Sequence, residues 1–107
     1  LAPLYDLLAT VAYPDLSPRF AMKIGTGATL AELKAQHWAA FAAKTELGLP
    51  LIRRRVAEIS QMVIARSGAV AADLARPGFD LAALESLAAL TRERAELCVL
   101  TAAGGPR

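Results

Sequence analysis

The sequence predicts a mainly α-helical chain with an irregular N-terminal stretch, and three observations predict it. Of 107 residues, 55% are hydrophobic, with 24 Ala and 17 Leu, both strong helix formers. Apolar residues recur at helical spacing, as in Ile52, Val56, Ile59 and Val63. The helix breakers Pro and Gly gather in a few places, which leaves long uninterrupted stretches between them.

Taken in order, residues 1–27 are irregular. Leu4 to Ala9 has room for one or two helical turns. Pro14 and Pro18 then make 12–19 a loop. Phe20 to Ile24 reads as a brief strand or extended segment, closed by Gly25 and Gly27. A helix is expected from Thr29, because Thr29 and Glu32 have the spacing at which hydroxyl and carboxylate satisfy the first backbone N–H groups reciprocally. Leu30, Leu33, Trp38 and Phe41 continue it as a stripe, with a break near Gln36. Gly48 is the expected stop, and Pro50 suits the first turn of the next helix.

That next helix carries Ile52, Val56, Ile59, Val63, Val70 and Leu74 on one face, and Gly68 is a weak point that could divide it in two. Arg76-Pro77-Gly78 is a clear break. Asp80 can cap a last helix whose apolar face runs Leu81, Leu84, Leu87, Ala88 and Leu97, ended by Gly104-Gly105-Pro106.

Composition excludes several classes. A chain this apolar is not intrinsically disordered. With Cys98 its one cysteine it is not a disulfide scaffold, and Cys98 reads as a small buried hydrophobe. No apolar run approaches the ~20 residues of a membrane span, and the start lacks the order of a signal peptide, so the expected compartment is the cytoplasm. The net charge of +2 is too balanced to imply nucleic-acid binding, although residues 51–76 carry five basic against two acidic side chains. The start at Leu1-Ala2-Pro3, with no Met, suggests a fragment of something longer.

Little catalytic chemistry is visible. His37 is the one histidine, so a two-histidine zinc site is excluded, and beside Trp38 it reads as a solvated or core-edge residue. Gly25-Thr26-Gly27 begins like a phosphate loop, but Leu30 stands where a third Gly is needed, which leaves a turn. Arg53, Arg54 and Arg55 fan over roughly 200° of a helix, a solvated stripe or a contact for an acidic partner or DNA. Asp6 sits among apolar neighbours, where an ionised carboxylate needs a cap, an Arg or a metal; a cap for the Leu7–Thr10 turn is the simplest reading.

Four segments in order resemble the C-terminal part of HipA-like serine/threonine kinases, the toxins of bacterial toxin–antitoxin modules. They are Leu1-Ala2-Pro3-Leu4-Tyr5-Asp6-Leu7-Leu8, the Tyr13-Pro14 loop followed by Phe20-Ala21-Met22-Lys23-Ile24-Gly25, Gln36-His37-Trp38, and the Gly-led helix from Gly48 through Arg55. The resemblance covers residues 1 to about 63, and residues 64–107 are an Ala-rich helical tail that aligns with nothing.

The resemblance implies a helical C-terminal subdomain of a protein-kinase-like fold, a single unit over residues 1–107. By that match Asp6 takes the place of the kinase Asp that holds Mg²⁺ against the ATP phosphates. The parent would use ATP and Mg²⁺ to phosphorylate a protein of the translation machinery and arrest growth, restrained by a DNA-binding antitoxin. The phosphate cradle and catalytic base lie upstream in that family. The fragment alone is therefore expected to be catalytically inert, to need no cofactor, and to supply helical scaffold and one metal ligand. The rival expectation is a non-catalytic helical module that docks an acidic partner or DNA through Arg53, Arg54 and Arg55. Apolar surface beyond Val63 also predicts self-association.

Overall fold

The computed structural model describes residues 12–104. Three α-helices carry this part: α1 (Ala35–Thr45), α2 (Leu49–Leu74) and α3 (Leu81–Ala102). The mainly α class is as the sequence predicts. Residues before Leu30 run through bends and turns, and the expected strand at Phe20–Ile24 is reduced to a single antiparallel bridge, Ile24 to Gly27. Two residues between the bridge partners leave no ladder to extend. Gly25 takes φ +61° in that turn, and a Cβ there would lie 3.0 Å from the His37 carbonyl oxygen. A side chain is therefore excluded both by backbone conformation and by the approach of α1.

Thr29 starts a helical turn as expected, but the turn is a short 3-10 piece, Leu30–Glu32. The Thr29 hydroxyl accepts from the Glu32 N–H at 3.3 Å, while the Glu32 carboxylate reaches back to the Ala28 N–H at 2.9 Å. The break falls at Leu33 and Lys34 rather than near Gln36, because both adopt extended backbone. Extended geometry at Leu33 turns its side chain inward, where it is 1% exposed. α1 is then opened by His37, whose Nδ1 accepts the Lys34 N–H at 2.8 Å.

Gly48 is not the stop of α1. The helix ends three residues earlier, with Glu46 in the left-handed region at φ 62°, and the Thr45 hydroxyl donates to the Phe41 carbonyl at 2.8 Å. Gly48 instead caps the start of α2, with Pro50 in its first turn. Gly68 does not divide α2, which is continuous for 26 residues. Asp80 caps α3 as predicted, accepting from the Ala83 N–H at 3.1 Å.

α2 and α3 form an antiparallel hairpin. The start of α2 (Ile52) and the end of α3 (Ala102) share one buried cluster, while the end of α2 and the start of α3 flank common grooves. α1 packs across the open end of the hairpin. Trp38 enters the cluster with Leu30, Leu33, Ala42, Ile52 and Ala102, meets Phe41 edge to face at 6.3 Å, and donates its indole N–H to Thr101 Oγ1 at 3.0 Å. Lengths decide how far this cover extends. At ~1.5 Å per residue, α2 is about 39 Å long and α1 about 16 Å, so α1 covers less than half of the hairpin.

Candidate functional site

Asp6, the one metal ligand expected from the sequence, lies outside the described residues, as do Leu4 and Tyr5. Among the described residues no three His, Cys, Asp or Glu side chains cluster as a metal shell.

The three arginines of α2 are exposed, and the structure does not bring them together as one basic patch. Glu58 takes two of them, Arg55 at 2.7 Å and Arg54 at 3.9 Å, within a turn of the same helix. Such exposed pairs stabilise by only a few tenths of a kcal/mol. They do lower the net charge that Arg53, Arg54 and Arg55 present to a polyanion.

The small-residue sites resolve into structural roles. His37 is buried rather than solvated, and its ring serves the cap of α1 while Gly27 packs against it. Gly25-Thr26-Gly27 is a turn held onto α1. Cys98 sits half-buried in the seam between α2 and α3, next to Ser60. Burial pushes its thiol pKa up, and the Arg94 charge and the Ser60 hydroxyl, which act the other way, do not offset that, so the thiol holds its proton more firmly than a free cysteine does.

The feature that the sequence reading did not isolate is a groove along one side of the distal hairpin, of about 490 Å³. Ile59, Met62, Val70 and Leu74 of α2 face Leu84 and Leu87 of α3 across it, with Arg66 on its lip. Ile59, Val70 and Leu74 belong to the predicted apolar face of α2, yet they are 52%, 53% and 42% exposed. Ser67 and Ala71 line the same groove between them, and Ser60 is buried beside Cys98 of α3.

No helix among the described residues is long and apolar enough to cross a membrane.

The chain is similar to the protein named "Putative kinase Y4mE" of Sinorhizobium fredii, with 44% identity over 101 residues, 94% of this chain. The chain spans about a quarter of that relative's length, 24%. No family model matches the chain, and no solved structure matches it.

Proposed function

We propose that this chain forms part of the C-terminal helical lobe of an ATP-dependent kinase of the HipA-like type. The observation that carries the reading is the 44% identity to a protein named as a kinase, sustained over 94% of the chain. The ordered motifs from Leu1 to Arg55 give the finer assignment to HipA-like serine/threonine kinases. In this reading the hairpin and α1 are scaffold, and Asp6 supplies one carboxylate to Mg²⁺, a hard cation that favours oxygen ligands. Mg²⁺ would bridge ATP phosphates and neutralise charge that develops on them. The described residues carry no metal shell of their own, so the proposed contact of this chain with the ion rests on Asp6 alone.

The parent's substrate in the translation machinery and its DNA-binding antitoxin partner belong to the same proposal and rest on the motifs. Docking of an acidic partner or DNA through Arg53, Arg54 and Arg55 is the weaker reading, because Glu58 already engages two of the three.

Two measurements test the kinase reading. The codons upstream of Leu1 should encode an Asp-x-x-x-x-Asn catalytic stretch, and a gene without one overturns the assignment. In the longer polypeptide, Asp6→Ala should abolish phosphate transfer from ATP, whereas the 107-residue chain alone should transfer none.

A further inference from the structure

We draw no further inference here: the strongest candidate, the open apolar groove between the distal parts of α2 and α3, carries nothing because nothing in the structure shows what covers it.

Discussion

The first two turns of α2 and the turns beyond them carry the same apolar repeat and meet opposite fates. Ile52 and Val56 lie under α1, which brings an aromatic pair, an extended Leu33 and a buried hydrogen bond onto them. Ile59, Val70 and Leu74 lie along an open groove. The apolar spacing of α2 does not separate the two stretches. The difference is that α1 is 11 residues long and α2 is 26. Periodicity states which residues share a face, and the length of the covering element states how many of them are buried.

The comparison is broken most severely from the covered side. Trp38→Ala removes the largest side chain of the cluster and should cost about 3–5 kcal/mol of stability, read by denaturant unfolding. Thr101→Val keeps the shape of a side chain that is 1% exposed but leaves the Trp38 indole N–H without its acceptor, at a cost of about 1–3 kcal/mol. On the bare side the signs and sizes change. Gly68 sits within α2, and the methyl that Ala would add there meets nothing within 4 Å, so Gly68→Ala should stabilise by about 0.5–1 kcal/mol. Leu74→Lys should move stability by less than about 1 kcal/mol, because the residue is already 42% exposed. If Leu74→Lys instead cost as much as Thr101→Val, the distal groove would be filled in solution.

The seam between α2 and α3 titrates with a defined sign. Burial holds the Cys98 pKa above that of the unfolded chain, so the folded state retains its proton where the unfolded state has begun to lose it. That contribution to stability is complete below the unfolded thiol's pKa and is lost as pH rises through the folded value. Unfolding free energy should therefore decline on the alkaline side, and Cys98→Ala should flatten that limb.

Much of the fold is legible in the residues. The Thr29 and Asp80 caps, the Pro50 first turn and the break at Arg76-Pro77-Gly78 all follow from local chemistry, and each is where the sequence puts it. The misses have two causes, a competing local cap and tertiary context acting on a local signal. Glu46 rather than Gly48 takes the left-handed cap of α1, helped by the Thr45 hydroxyl. Leu33 breaks the first helix early because its side chain is wanted in the core. His37 reads in the sequence as a residue of the margin and is a buried acceptor, since the ring nitrogen that caps Lys34 needs no solvent. Of the candidate site, the three arginines were legible as a fan and not as partners of Glu58. The groove was not legible, because periodicity gives the apolar face of α2 but not which of its residues the neighbouring helices leave uncovered.

The bond between Trp38 and Thr101 has a consequence for the order of folding. It joins residues 63 apart in the sequence, whereas α2 and α3 meet across a short connection. Closing the long loop carries the larger entropic cost, so the hairpin can assemble first and α1 docks onto it last. The same order reversed describes opening: α1 should lift away before the hairpin separates. Its amides should then exchange with solvent deuterium ahead of those in the paired region of α2 and α3, although α1 covers the best-packed part of the molecule.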